Sequence, residues 1–89
     1  MAKYALTELG HVAKDYTSRH IMSYLKLCAA ITEATGVEVK ETSFQQARRS
    51  DRGFHELRKL IMDYMREKDP ALVEASLAIY NELYKQKGA

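Results

Sequence analysis

Apolar side chains recur at helical spacing in three blocks along the chain. The first block runs from about Thr7 to Ala34 and stops at Gly36, a residue typical of helix C-caps. On a helical wheel, one face of this block is formed by Leu9, Val12, Ala13, Tyr16, His20, Leu27, Ile31 and Ala34. Further apolar side chains widen that face: Ile21, Leu25 and Cys28. The pattern predicts a long amphipathic N-terminal helix.

The predicted length of this helix raises a packing problem. A continuous helix over the block would be roughly 40 Å long at 1.5 Å per residue. A compact domain of this size has a radius of gyration of only about 12 Å, so the rest of the chain cannot cover such a helix. Either the helix kinks near Ser18 and Arg19, or a second copy of the chain covers its apolar arc. We favour the second copy, and therefore expect a homodimer or small homo-oligomer.

The second block runs from Ser43 to about Lys68 and is predicted to be one helix. Ser43 is followed three residues later by Gln46, which is the pattern of a capping box. Gly53 falls on the apolar side of this helix, where it would let another helix approach closely; a hinge at this glycine is the alternative, since glycine costs about 1 kcal/mol inside a helix. The segment between the first two blocks, 36–42, is predicted to be an extended connector, with a short strand as the alternative because Val37 and Val39 alternate with polar residues.

The third block begins at Asp69 and Pro70, a strong N-terminal signal for a helix. Because Asp-Pro also fixes a sharp turn, the second and third helices are predicted to form an antiparallel pair. The sequence therefore predicts a single all-α domain over residues 1–89. It would be a small bundle of three main helices, with the long N-terminal helix packed on the pair, completed by self-association.

Composition places the chain among globular proteins, with 46% hydrophobic and 29% charged residues. The formal net charge of +2 is mild for a dedicated nucleic-acid-binding protein. The single cysteine excludes an internal disulfide and fits a reducing compartment. We see no secretory signal and no run of the ~18 apolar residues that a membrane span needs. A cytoplasmic protein that does not cross a membrane is the expectation.

The sequence carries little sign of enzyme chemistry. It contains no glycine-rich phosphate loop and no hydrolase or metalloprotease motif, and its carboxylates are dispersed among cations. We therefore predict no catalytic residues, metal ligands or cofactor. A small enzyme using His20 or Cys28 is the least favoured hypothesis. Within the first helix, His20 is predicted to be buried and hydrogen-bonded to a tyrosine hydroxyl, with a pH-dependent interface switch as the alternative.

The segment Gln45–Leu60 holds the sharpest binding candidate. In a continuous helix, one face would carry Arg48, Arg52, His55 and Lys59, with Arg49 beside them. This spacing predicts a cationic ridge on the outer side of the second helix. Such a ridge can bind phosphates or an acidic protein surface, or it can be only a solvated helix face.

The residues around this segment do not match a known DNA-binding motif closely. A helix-turn-helix arrangement would need a connector shorter than the one that follows Gly36. A ribbon-helix-helix arrangement would need Gly53 to be the loop between two helices. Neither pattern is specific.

The favoured hypothesis is a non-enzymatic regulatory, adaptor or inhibitor protein that binds another macromolecule, with a protein as the favoured partner. Its binding residues would be the cationic set Arg48, Arg49, Arg52, His55 and Lys59. The chain also has six tyrosines, a residue type enriched at interfaces. The oligomer interface is predicted to contain Ile21, Leu25, Cys28, Tyr80 and Tyr84. The alternative is a DNA-binding or other nucleic-acid-binding regulator that uses the same cations.

Overall fold

A computed structural model describes residues 7–50 and 53–85, with backbone alone for residues 84 and 85. The predicted all-α class is confirmed, and the described residues contain no strand. They form five α-helices: α1 (Glu8–His20), α2 (Tyr24–Thr35), α3 (Glu41–Arg49), α4 (His55–Lys68) and α5 (Pro70–Tyr80). A π-helical turn, Asn81–Lys85, continues α5. The first and second predicted blocks are thus each divided into two helices.

The first division lies at Ile21, so the prediction of one continuous N-terminal helix is wrong. Ile21 has φ 53° and ψ 59°, in the left-handed region that ends a right-handed helix. A left-handed conformation costs roughly 1–2 kcal/mol in a residue with a side chain, and β-branching makes it rarer still. The Ile21 side chain is 91% exposed, so packing against the core does not offset this cost.

Backbone hydrogen bonds close the end of α1 around this bend. The Ile21 amide donates to the Ser18 carbonyl at 3.3 Å, and the Met22 amide donates to the Thr17 carbonyl at 3.0 Å. This is the Schellman pattern, in which glycine usually holds the left-handed position. Ser23 then begins α2, because its hydroxyl accepts a hydrogen bond of 3.1 Å from the Lys26 amide.

The end of α2 is where the sequence predicts it. Gly36 has φ 79°, and its amide donates to the Thr32 carbonyl at 2.8 Å. The next helix begins earlier than predicted, with Lys40 as its N-cap residue. Ser43 therefore lies inside α3, and the predicted capping box does not form.

The second division separates α3 from α4. Helix α3 ends at Arg49, and both Gly53 (φ 71°) and Phe54 (φ 57°) are left-handed before α4 begins at His55. Gly53 lies in this loop, where a Cβ added to it would have no neighbour within 4 Å. The prediction that Gly53 permits close packing inside one continuous helix is therefore wrong, and the interruption falls where a hinge at Gly53 was the alternative.

Helices α4 and α5 are separated by Asp69 alone, as the sequence predicts. The Asp69 carboxylate accepts a hydrogen bond of 3.3 Å from the Leu72 amide, and Pro70 occupies the first turn of α5. The predicted N-cap is therefore confirmed.

Helices α1 and α5 run antiparallel. In the residue pairs that contact each other, the residue number falls along α1 as it rises along α5. These pairs are His20 with Asp69, Asp15 with Ser76, and His11 with Tyr80. The core is formed by all five helices and the 36–40 connector. Its apolar residues are Leu9, Val12, Ala13, Tyr16, Leu27, Cys28, Ile31, Val39, Phe44, Ala47, Ile61, Met65, Leu72 and Val73.

The N-terminus of α1 is fixed against the C-terminus of α3. The Thr7 hydroxyl donates to the Arg48 carbonyl at 2.6 Å and accepts from the Gly10 amide at 2.9 Å. A Cβ on Gly10 would lie 2.6 Å from the same carbonyl oxygen. Glycine at this position therefore allows the two helices to meet.

Candidate protein-binding groove

The predicted cationic ridge is not one helix face. Arg48 and Arg49 lie at the end of α3, His55 and Lys59 lie on α4, and Arg52 falls outside the described residues. The ridge depended on one helix continuing through Gly53, and that helix is interrupted there. The prediction that these cations line a single helix is therefore wrong.

Two of the ridge cations interact with neighbouring side chains. Arg48 donates through its guanidinium to the Gln45 amide oxygen, and its guanidinium carbon lies 4.6 Å from the centre of the Tyr24 ring. Lys59 forms an exposed ion pair of 2.8 Å with Asp63 on the next turn of α4. Arg49 and His55 are both exposed.

Arg58, which sequence reasoning did not single out, holds the α3–α4 loop. Its Nη1 donates to the Ala47 carbonyl at 2.9 Å, and its Nε donates to the Gly53 carbonyl at 2.9 Å. The Ala47 carbonyl is among the last of α3, which lack partners inside the helix. The only sequence signal was an arginine within a basic segment, which says nothing about this role.

The predicted interface residues occupy different environments. Ile21 and Leu25 are 91% and 59% exposed. Tyr80 is half-buried, with its ring centre 5.7 Å from that of His11. The Tyr84 side chain lies outside the described residues.

Cys28, by contrast, is 2% exposed in the core of the single chain. Burial, followed by the nearby charge of Glu41, raises the pKa of its thiol to about 11. It therefore lies inside the single chain and not on an exposed surface.

His20 is exposed, so the prediction that it is buried against a tyrosine hydroxyl is wrong. Its ring stacks on Tyr16 with a centre-to-centre distance of 4.2 Å. Its Nε2 donates to the Asp69 carboxylate at 3.0 Å, and Arg19 Nε lies 3.4 Å from the same oxygen. Desolvation acts to raise the pKa of Asp69, but the His20 and Leu72 hydrogen bonds and the Arg19 charge bring it below its usual value.

An open groove of about 480 Å³ lies between the outer sides of α1 and α5. Its lining residues are Asp15, Ser18, Arg19, Ala71, Leu72, Ala75, Ser76 and Ile79. Four of these eight residues are alanine or serine, and their small side chains leave space between the two helices. The sequence pattern did not indicate the groove, because alanine and serine on exposed helix positions are usual on any surface.

The two ends of the groove differ in chemistry. At one end Ile79 is 48% exposed, and at the other the Arg19 side chain is 66% exposed. Between them, Asp15 accepts a hydrogen bond of 2.7 Å from the Ser76 hydroxyl and lies 3.5 Å from His11 Nε2. The groove therefore combines an apolar end, a hydrogen-bonded centre and a cationic end.

Among the described residues, no group of three or more histidine, cysteine or acidic side chains is placed to hold a metal ion. No helix in that part of the chain is long and apolar enough to cross a bilayer. Comparison with protein-family models, curated proteins and solved structures gave no match. Function is therefore inferred from the geometry of the chain.

Proposed function

We propose that this protein is a small non-enzymatic regulator or adaptor that binds another protein through the α1–α5 groove. The observation that carries the proposal is the groove itself, with exposed Ile79 at one end and exposed Arg19 at the other. Its occupant is an amphipathic helix of the partner. Helix-in-groove binding of this kind uses apolar anchors spaced by one helical turn.

The dimensions of the groove support a short helical ligand. On α5 its lining extends from Ala71 to Ile79, which is roughly 12 Å at 1.5 Å per residue. That length matches about two turns of a partner helix. The small Ser18 and Ala75 side chains let such a helix approach α1 and α5 closely. An interface this short suits a transient complex more than a permanent one.

Charge indicates which end of the ligand lies at Arg19. The Arg19 guanidinium is held beside Asp69 but keeps most of its side chain in solvent. A carboxylate on the partner helix can therefore pair with it, as the planar donor groups of arginine favour. An apolar anchor one or two turns away would contact Ile79. The partner is thus an amphipathic segment with an acidic end.

The ionisable groups around the groove support binding rather than catalysis. Asp69 is bonded to His20 and caps α5, while Asp15 is bonded to Ser76. These pairs join α1 to α5, so their charges and hydrogen bonds stabilise the contact between the two helices.

Nucleic-acid binding is the second candidate, favoured by exposed Arg49 and His55 on either side of the α3–α4 loop. It predicts binding to a duplex or single strand that weakens steeply with salt and weakens further in Arg49→Ala. If no complex with DNA or RNA forms at low salt, this candidate is removed.

Two alanines on α5 provide a matched test of the groove. Ala75 and Ala78 are both exposed, but only Ala75 lines the groove. The wild-type protein, Ala75→Arg and Ala78→Arg are immobilised separately, and the proteins captured from extract of the source cells are quantified. The extract is treated with nuclease in a parallel set. Arginine is tolerated on a helix surface, so both variants should fold.

The proposal predicts a captured protein that Ala78→Arg retains and Ala75→Arg loses by at least about tenfold, equivalent to about 1.4 kcal/mol. Its recovery should not change with nuclease. If every captured protein is retained equally by Ala75→Arg, the groove is not the binding surface. Loss of all captured proteins after nuclease treatment would favour the nucleic-acid candidate instead.

A further inference from the structure

The bend between α1 and α2 has an unusual combination of features. It is formed by Ile21, Met22 and Ser23, and the left-handed position is held by a β-branched residue. Ile21 is almost fully exposed, and Leu25 on the next turn is more than half exposed. Nothing within the described part of the chain buries these two side chains.

Helix α1 packs mainly against the helices that follow α2 in the chain. Helix α1 packs against α5 and α3, and to a smaller extent against α4. Its contact with α2, the helix to which it is joined, is the weakest of these. If α1 moved to a second copy of the chain, it could form the same contacts with α3, α4 and α5 of that copy.

From these features we infer that the protein exchanges α1 with a second copy to form a domain-swapped dimer. In the dimer the bend becomes helical, and α1 and α2 join into one helix from Glu8 to Thr35. This helix is roughly 42 Å long at 1.5 Å per residue. The apolar side chains that align over Thr7–Ala34 on a straight helix then lie along one continuous stripe.

The bend residues explain why the exchange is favoured. Straightening removes the left-handed conformation of Ile21 in both copies, and short hinge loops under strain favour domain swapping. It also brings the two straightened hinges near the two-fold axis. Ile21 and Leu25 of each copy can bury each other there, which gives their exposed apolar area a partner. The entropy of association opposes the exchange, so the dimer fraction rises with concentration.

The swap leaves the α1–α5 groove intact, because α1 of one copy packs on α5 of the other in the same register. The inference therefore does not depend on the proposed function. Arginine at Ala75 tests the groove, whereas changes at the bend test the exchange. Failure of one proposal leaves the other in place.

Two bend variants shift the monomer–dimer equilibrium in opposite directions. Ile21→Gly removes the left-handed strain and disfavours a helix through the bend, so it stabilises the bent monomer. Ser23→Ala removes the hydroxyl that caps α2 and favours a continuous helix. Size-exclusion chromatography with light scattering, over a concentration series, measures the dissociation constant of each dimer. Ile21→Gly should raise this constant by more than about tenfold, and Ser23→Ala should lower it.

Cross-linking distinguishes an exchanged dimer from a dimer that only associates by its surface. Asp15→Cys and Ser76→Cys, combined with Cys28→Ala, place thiols on α1 and α5 where the native side chains are in contact. A short bismaleimide is added to the isolated dimer fraction. Exchange predicts links between two chains, and a surface dimer predicts links within each chain.

If these variants do not fold, the wild-type protein provides the same distinction. Labelled and unlabelled chains are unfolded together and refolded, and isotope-filtered NMR is recorded on the dimer. Exchange predicts intermolecular signals between the His11 and Tyr80 rings, whose centres are 5.7 Å apart. The inference is overturned if those contacts are only intramolecular, or if the wild type is a strict monomer up to about 1 mM.

Discussion

His20 Nε2 donates a hydrogen bond of 3.0 Å to the Asp69 carboxylate, joining the last residue of α1 to the residue that begins α5. The same carboxylate accepts from the Leu72 amide and lies beside Arg19. Asp69 thus caps one helix and holds the end of another. The cationic end of the groove is fixed by this arrangement.

This arrangement predicts a specific loss of stability in acid. Because the folded-state pKa of Asp69 lies below its ordinary value of 3.8, the ionised carboxylate stabilises the fold above pH 3.8. That contribution is lost as the pH falls through the lower folded-state pKa. Asp69→Asn retains a good N-cap residue but does not titrate. The difference in unfolding free energy between wild type and Asp69→Asn, from urea titrations, should therefore shrink between about pH 5 and pH 2. A constant difference over this range would contradict the role given to the charge.

Replacing Ile21 by glycine should stabilise the bent monomer. Glycine avoids a strain of about 1–2 kcal/mol in the left-handed region, while its greater freedom in the unfolded chain costs about 0.5–1 kcal/mol. The net gain is about 0–1.5 kcal/mol, centred on about 0.75 kcal/mol, since the exposed side chain contributes little packing. Urea unfolding at a concentration where both proteins are monomers measures it. Ile21→Ala is the control, because alanine shortens the side chain but keeps a Cβ in the same conformation. A loss of stability in Ile21→Gly would mean that Ile21 is not strained.

Arg58 and Lys59 are adjacent cations with different expected contributions to stability. Arg58→Ala should lower the free energy of unfolding by about 1–3 kcal/mol. The variant loses two charged hydrogen bonds, and the Ala47 and Gly53 carbonyls lose this donor. Lys59→Ala removes only an exposed ion pair and should cost less than about 1 kcal/mol. Thermal unfolding followed by circular dichroism compares the two. Equal effects would show that Arg58 does not hold the α3–α4 loop.

The Cys28 thiol should be inert in the folded protein. A pKa of about 11 leaves about 100-fold less thiolate at pH 8 than an ordinary thiol, and the thiolate is the reactive form. Burial restricts access further. Reaction with an aromatic disulfide reagent at pH 8 should therefore be at least about 100-fold slower in buffer than in urea. Comparable rates in the two conditions would contradict the placement of Cys28 in the core.

The elements that the sequence predicted well have strong local signals. Gly36 ends α2 because glycine adopts the left-handed region without strain, and Asp69-Pro70 begins α5 because one residue caps the helix and the other fits its first turn. The apolar spacing also identified the α1 and α2 residues that enter the core, among them Val12 and Ile31.

The two helix breaks had weaker signals. Gly53 falls in the second break, but a single glycine costs only about 1 kcal/mol inside a helix and is tolerated there, and the first break, Ile21 to Ser23, contains no glycine or proline. Isoleucine and phenylalanine rarely adopt positive φ, so nothing at Ile21 or Phe54 indicated the end of a helix. The apolar spacing continues through both breaks, which is why each pair of helices was predicted as one. The cationic ridge depended on the second of these continuous helices. The groove depends on small side chains at facing positions of α1 and α5. The spacing of apolar residues does not show where small side chains leave a space between two helices.

The most direct test of groove binding is to map the contact surface of a captured partner. The segment of that partner predicted to form an amphipathic helix is titrated into ¹⁵N-labelled protein, and backbone amide shifts are followed by NMR. Groove binding predicts that the largest shifts occur at Ser18, Arg19, Ala71, Ala75 and Ile79, and that Ala75→Arg removes them while Ala78→Arg does not. Shifts confined to the α3–α4 region around Arg49 and His55 would contradict it.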